Sequence, residues 1–191
     1  MCGRYTLRNS KAVKDKHLLN IDASFNIAPS HEVLALTTEP SLMRWSYNPT
    51  WAKTPMNLIN ARSETLNVKP SFKMAKRCLI VADGWYEWLR TDNKKQPYFF
   101  HMNDSLFNFA GIYTEYYGEK GCAIITKEAI QSLSKVHNRM PIIIADNEAD
   151  SWLSGEDVFE SKSSEDIEFY PVSTMVNSPR NNNIDCVKST L

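Results

Sequence analysis

Short runs of alternating or β-branched residues recur along almost the whole chain, and they constrain the fold more than any other feature. "CGRYTL", "EVLALTTE", "LMRWSY", "CLIVADGWYEWL", "QPYFFHM", "FNFAGIYTEY", "GCAIIT", "MPIIIAD" and "FYPVS" all read as strands. Helical patterns are fewer and short. "SKAVKDKHLLN" has Ser10 placed as an N-cap, "PSFKMAKR" has Pro70 placed to open a helix, and "KEAIQSLS" and "NEADSWLSG" add two more, the last closed by Gly155. The pattern predicts an α+β protein, a single domain over residues 1–191 with a mostly antiparallel, barrel-like β-sheet and peripheral short helices. No repeat or inter-domain linker interrupts it. The polar stretch 156–168, "EDVFESKSSEDIE", reads as a surface insertion, and residues 178–191 as a tail opened by the turn-rich "NSPRNNN".

Charge narrows the function. Lys and Arg number 22, as do Asp and Glu, so the net charge is zero. Nucleic acid or an anionic membrane would feel no global attraction, and any DNA contact must rest on a local groove. No leader-like basic and apolar segment and no transmembrane-length run is present, so an intracellular protein, cytoplasmic or nucleoid-associated, is expected. Of the four cysteines, Cys78 and Cys122 lie in apolar runs and read as buried strand residues. The four histidines form no HExxH-like pair, so neither a metal nor a cofactor is expected.

Cys2 is different. It stands behind Met1, and its small side chain makes that methionine a substrate for removal. Once exposed, Cys2 would carry an α-amine and a thiol on adjacent carbons, a pair of nucleophiles that no internal cysteine offers. The plainer alternative is a small apolar residue opening a strand.

Four stretches carry more polar chemistry than packing requires. In "CGRYTL", Arg4 sets a permanent cation beside Cys2; it suits a phosphate or carboxylate, although a surface ion pair would account for it alone. "NARSETL", residues 60–66, joins an amide (Asn60), a cation (Arg62) and a carboxylate, a set that can orient a reacting group and hold an anion, or cap a turn. In "ADGWYEWL", Glu87 shares strand parity with Trp85 and Leu89 and so faces an apolar side, where desolvation raises a carboxyl toward neutral pH; a paired structural carboxylate is the alternative. "VHNRMP" puts His137 in a polar loop at the mouth of a strand.

Taken together and in order, "MCGRYTL", "NIAP", "RWSYNPTWAK", "INARSET", "ADGWYEW", "PYFFHM", "FAGIYT", "HNRMPIII" and "YPVSTMVN" resemble the SOS response-associated peptidase family, the abasic-site-processing proteins. The resemblance runs from Cys2 to about Asn177. It implies that Cys2, Asn60, Glu87 and His137 form the catalytic site, and that Arg4, Asn26, Pro29, Trp51, Arg62 and Arg139 line a DNA groove. Ser46 departs from the family, which has glycine there, and the tail is abbreviated.

What the resemblance implies is a monomer without cofactor, whose partner is single-stranded DNA containing abasic sites. The amine of processed Cys2 would form a Schiff base with the ring-opened sugar aldehyde, and the thiol would close a thiazolidine. A terminal amine with a pKa of about 7.7 to 8.0 is substantially neutral in the cell, unlike a lysine. Glu87 would carry the proton transfers, His137 would assist sugar opening and reversal, and Asn60 would position the sugar or the amine. A thiol peptidase acting on Met1 or other peptides, and a non-catalytic module for modified DNA, are the alternatives.

Overall fold

A computed structural model of the chain describes residues 2–92, 94–159 and 166–191. Expectations about Met1, and those about residues 160–165 of the stretch 156–168, therefore fall outside the described residues. In chain order the elements are β1 (Tyr5–Leu7), α1 (Ser10–His17), β2 (Ser24–Ile27), β3 (Glu32–Leu36), β4 (Pro40–Arg44), β5 (Asn60–Arg62), β6 (Lys76–Ala82) and β7 (Gly84–Thr91). They continue with β8 (Lys94–His101), β9 (Phe107–Tyr116), β10 (Glu119–Glu128), α2 (Gln131–Ser134), β11 (Arg139–Pro141), β12 (Ile143–Ile144), α3 (Ala149–Ser154) and β13 (Glu168–Pro171). Strands dominate, the helices are short, and the architecture is α+β as the pattern predicts.

Two sheets build the molecule. One has the order β13-β8-β7-β1-β2. In the other, β4 pairs β3, β3 pairs β6, β6 pairs β9, β9 pairs β10, and β10 returns to β4, so the strands close into a barrel. Most of these pairings are antiparallel; the closing contact, Gly121 opposite Arg44, is parallel. A Cβ at Gly121 would stand 2.3 Å from the Ser46 carbonyl oxygen, so only glycine lets the backbones approach here. Ser46, itself buried, donates its hydroxyl to Asn57 Oδ1 at 2.8 Å.

The space between the sheets is filled by aromatic rings. Tyr5 meets Trp45 and Phe109 edge-on, and Trp85 stacks on Phe100 while meeting Phe107 and Phe109 edge-on. Such pairs each add about 0.5–1.5 kcal/mol beyond the area they bury. Cys78 and Cys122 are buried free thiols among these strands.

The expected single strand over 78–89 is broken at Asp83, which the sequence reading treats as one residue of a continuous run. Its side chain is fully buried and accepts from Thr6 Oγ1 (2.6 Å), from the backbone N–H groups of Arg8 (2.5 Å) and Asn9 (2.8 Å), and from Arg8 Nε (3.1 Å). The carboxylate thus replaces the ladder at this corner and ties the segment after β1 to the turn between β6 and β7. A Cβ at Gly84 would meet the Phe99 ring at 2.3 Å, so β7 starts where the side chain vanishes.

Two expected helices shrink. "PSFKMAKR" yields only a 3-10 turn, Pro70–Phe72, because Lys76 and Arg77 belong to β6; "KEAIQSLS" yields only α2, because Lys127 and Glu128 belong to β10. Asn9, not Ser10, caps α1, its side chain accepting from the Ala12 N–H at 3.0 Å. Within the tail, residues 178–191, a 3-10 turn, Ile184–Val187, buries Cys186 and Val187 against Tyr86 and Phe99. No helix among the described residues is long and apolar enough to cross a membrane.

Candidate active site

Glu87 lies on β7, two residues along from Trp85, and the shared parity turns both inward. Its neighbours there include Trp85, Phe100, Leu133, His137 and Met140. At 3% exposure the carboxyl has lost most of its water, and burial pushes it up from 4.5 to about 7. Both protonation states are therefore accessible near neutral pH, as a group that must take and return a proton requires.

β1 brings Cys2 to this carboxyl. Tyr5 and Thr6 pair with Trp85 and Gly84, and the Tyr86 N–H donates to the Arg4 carbonyl at 3.0 Å, so the chain start runs along β7 and brings Cys2 within electrostatic reach of Glu87. The Cys2 side chain is fully buried. Burial, reinforced by the Glu87 carboxylate, pushes the thiol far above its usual range, so it is held as neutral S–H.

Asn60 arrives from the other sheet. β5 is a three-residue strand running parallel to β10, with Asn60 opposite Ile124. Asn60 Nδ2 donates to the Cys2 carbonyl at 2.8 Å, while its Oδ1 is buried and accepts no hydrogen bond from the described residues. An unused acceptor beside Cys2 is costly unless something donates to it during function.

His137 precedes β11, which pairs with the same strand β10. Its Nε2 lies 4.0 Å from Glu87 Oε2, and its Nδ1 accepts from the Arg139 N–H at 3.0 Å. Burial lowers its pKa, favouring the neutral ring. β1 and β7 from one sheet, and β5 and β11 held by β10 from the other, thus converge on one point. Asn60, Glu87 and His137 come together around Cys2.

The residues expected along a DNA groove divide. Asn26 is buried, its Nδ2 donating to the carbonyls of Val176, Ser178 and Asn181 and its Oδ1 accepting from Arg4 Nη1 at 2.8 Å. In this structure Asn26 clamps the C-terminal segment. Arg4 also donates to the Val176 carbonyl at 2.8 Å and is half-buried, so its guanidinium is largely committed within the protein. Arg139 is paired with Glu64. By contrast, Trp51 is 57% exposed, Pro29 is partly exposed, and the exposed Arg62 guanidinium has no hydrogen bond or ion pair among the described residues.

Asp83 escaped the sequence reading, and Glu64 entered it only as the carboxylate of "NARSETL", without its partner Arg139. The only signal for Asp83 was a charge inside the apolar run "CLIVADGWYEW". Among the described residues, no group of three or more His, Cys, Asp or Glu side chains is arranged to hold a metal ion.

Comparison with known proteins bears on the fold and the family. Over all of both chains the fold matches a crystal structure of a protein from Bacteroides thetaiotaomicron, with a TM-score of 0.79 at 24% identity. The chain is 36% identical over 224 aligned residues to the abasic site processing protein YoqW of Bacillus subtilis, covering 99% of this chain and 100% of that protein. It is 34% identical to the abasic site processing protein HMCES of Gallus gallus, covering 76% of this chain and 56% of that longer protein. The family model for SOS response associated peptidase (SRAP) matches residues 1–179. With β1, β5, β7 and β11 delivering these four side chains to one point, and the family match spanning all of them, the chain belongs to the SOS response associated peptidase family.

Proposed function

We propose that this protein processes abasic sites in DNA by linking itself covalently to them through Cys2 after Met1 is removed. The observation that carries the reading is the enclosure of Cys2 by Asn60 and by a carboxyl near neutrality, with Asn60 Oδ1 left as an unused acceptor. The names of the relatives supply the substrate, an abasic site.

The neutral thiol sets the order of events. A thiolate would attack first, but this thiol is pushed up by burial, so the α-amine adds to the sugar aldehyde. Water leaves as the imine forms. The S–H then adds across the C=N bond, its sulfur to carbon and its proton reaching nitrogen by way of Glu87, which closes a five-membered thiazolidine. The net change is the loss of one water. Asn60 Oδ1 accepts from the amine and aims its lone pair; Glu87 gives its proton to the sugar ring oxygen as the ring opens, while the neutral His137 ring takes the proton of the anomeric hydroxyl. In single-stranded DNA the sugar is free to reach this recess, and exposed Arg62 and Trp51 serve the flanking phosphate and base.

Removal of Met1 is itself a hydrolysis, and the family's description as a peptidase favours the same residues performing it. Intact mass spectrometry separates the readings. The expected result is a chain lacking Met1 that gains the mass of an abasic single-stranded oligonucleotide minus one water, with no gain for Cys2→Ala. A processed chain that binds the oligonucleotide only reversibly would refute the covalent reading and favour a binding module; one that cleaves peptides but never gains DNA mass would favour the peptidase.

A further inference from the structure

Residues 48–57 form a closed loop whose exposed face carries Trp51. Its two ends meet where Tyr47 and Leu58 exchange backbone hydrogen bonds at 2.8 and 2.9 Å, and beside them the Trp45 ring N–H donates to the Ile59 carbonyl at 2.9 Å. Leu58 stands two residues before Asn60, so the loop is built directly onto one of the residues that enclose Cys2. Pro49 and Ala52 are buried, whereas Thr50, Trp51 and every residue from Lys53 to Asn57 are exposed.

These ten residues adopt neither strand nor helix, so their backbone polar groups need partners from elsewhere. Asn48 is the hub. Its Oδ1 accepts from the N–H groups of Met56 at 2.7 Å and Asn57 at 2.8 Å, across the mouth of the loop, and its Nδ2 donates to the Ser46 carbonyl at 3.3 Å. Backbone amides can only donate, so the atom that faces them must be the oxygen, and the orientation of the side chain is fixed. The Asn48 carbonyl in turn accepts from Thr114 Oγ1 at 2.6 Å, which fastens the hub to β9. Ser46, where the family has glycine, joins the same cage through Asn57, whose φ of +51° is a left-handed conformation that asparagine tolerates. The tip is held from outside as well: Tyr116 Oη donates to the Ala52 carbonyl at 3.0 Å, and Trp51 Nε1 to the Pro70 carbonyl at 3.3 Å.

Most of this loop stays in water, so its hydrogen bonds do little to bury apolar surface. What they fix is the place of an exposed indole relative to Asn60. A base that stacks there meets a platform already ordered, and the ordering cost falls on folding instead of on binding.

We propose that Asn48 is a positioning residue for the DNA strand: by closing the 48–57 loop onto the Met56 and Asn57 amides, it holds Trp51 ready to stack on an unpaired base flanking the abasic sugar. This rests on the reading of the substrate as single-stranded DNA. Asn48 acts on the encounter and not on the chemistry, because the Tyr47–Leu58 and Trp45–Ile59 bonds hold the end that carries Asn60 without it.

The test measures affinity for an unmodified single-stranded oligonucleotide by fluorescence anisotropy, and the first-order rate of linkage with an abasic oligonucleotide at saturation. The proteins are the wild type, Asn48→Ala, Trp51→Ala and the double variant. Asn48→Ala is expected to weaken affinity about fivefold, the cost of ordering a large side chain on binding. Its rate at saturation should stay within about twofold of wild type, the mark of lost binding without lost chemistry. In the Trp51→Ala background the same substitution should change affinity by less than about twofold, since the platform it holds is gone. Tyr116→Phe, which loses only the bond to Ala52, should weaken affinity by a smaller factor with the same dependence on Trp51, and it serves should Asn48→Ala fail to fold. In the protein without DNA, amide hydrogen exchange at Met56 and Asn57 should speed up roughly tenfold in Asn48→Ala and return toward wild type in Asn48→Asp, which keeps the acceptor.

Equal losses of affinity with and without Trp51 overturn the proposal, as does unchanged affinity in Asn48→Ala, in Tyr116→Phe or in Trp51→Ala. A rate at saturation that falls while affinity holds would place Asn48 behind Asn60 and overturn it too. Affinity and exchange need no abasic site. A loss that depends on Trp51 in a protein that never forms the link would therefore refute the covalent reading and leave the positioning role standing.

Discussion

Replacing Glu87 with glutamine tests the electrostatics of the site without DNA. The carboxyl is pushed up from 4.5 to about 7 by burial, so the folded protein holds this proton more tightly than the unfolded chain does. Its contribution to stability is fully present below 4.5 and is lost as pH rises through 7. At about 1.4 kcal/mol per pH unit, the loss across that window is roughly 3 kcal/mol. That is a sizeable share of the 5–15 kcal/mol that holds a typical domain together. Glutamine keeps the shape and cannot ionise, so the variant should lack this slope. Urea unfolding followed by tryptophan fluorescence, from about pH 5 to about pH 8.5, gives the difference in stability between the two proteins. Glu87→Gln should gain on the wild type by most of that amount across the range, whatever its offset at pH 5. A difference that stays flat would mean the carboxyl titrates at its ordinary value, and the reasoning from burial to proton transfer would fail.

Other substitutions probe the supports. Asp83→Ala removes the acceptor of two backbone amides, Thr6 and Arg8, and should cost about 3–5 kcal/mol, read as a fall in thermal midpoint; a loss below about 1 kcal/mol would show that water replaces the carboxylate. Gly121→Ala places a methyl 2.3 Å from the Ser46 carbonyl oxygen, backbone that cannot swing aside, and should cost about 1–3 kcal/mol in urea unfolding. Trp51→Ala should leave stability within about 0.5 kcal/mol, since the ring is 57% exposed, yet weaken binding of intact single-stranded DNA by about 1–3 kcal/mol if a base stacks there; unchanged binding in a fluorescence titration would remove it from the groove.

Residues whose surroundings are set by their own strand were legible in the sequence. β9 has the bounds the alternation predicts, and parity along β7 turns Glu87 inward beside Trp85. β5 was not legible: "NAR" is three polar-rich residues and becomes a strand only because β10 offers it an edge. The same limit applies to charge. Arg4, Arg62 and Arg139 look alike in sequence, each a guanidinium near a reactive residue, but Asn26 and Val176 claim the first and Glu64 the last, leaving Arg62 exposed. Partners so distant along the chain leave no local signature.

Cys2 also has consequences for timing. It leaves the ribosome early, while the groups that enclose it follow at residues 60, 87 and 137, and the Val176 carbonyl that secures Arg4 comes later still. At roughly 5–20 residues per second, the interval between Cys2 and His137 is on the order of ten seconds. Throughout it the cysteine sits on an unpaired strand with no neutral-range carboxyl beside it. Barrel closure, which joins Arg44 to Gly121, imposes the same wait. A nascent chain therefore carries Cys2 without Asn60, Glu87 and His137 around it, and the recess exists only once the later strands have folded.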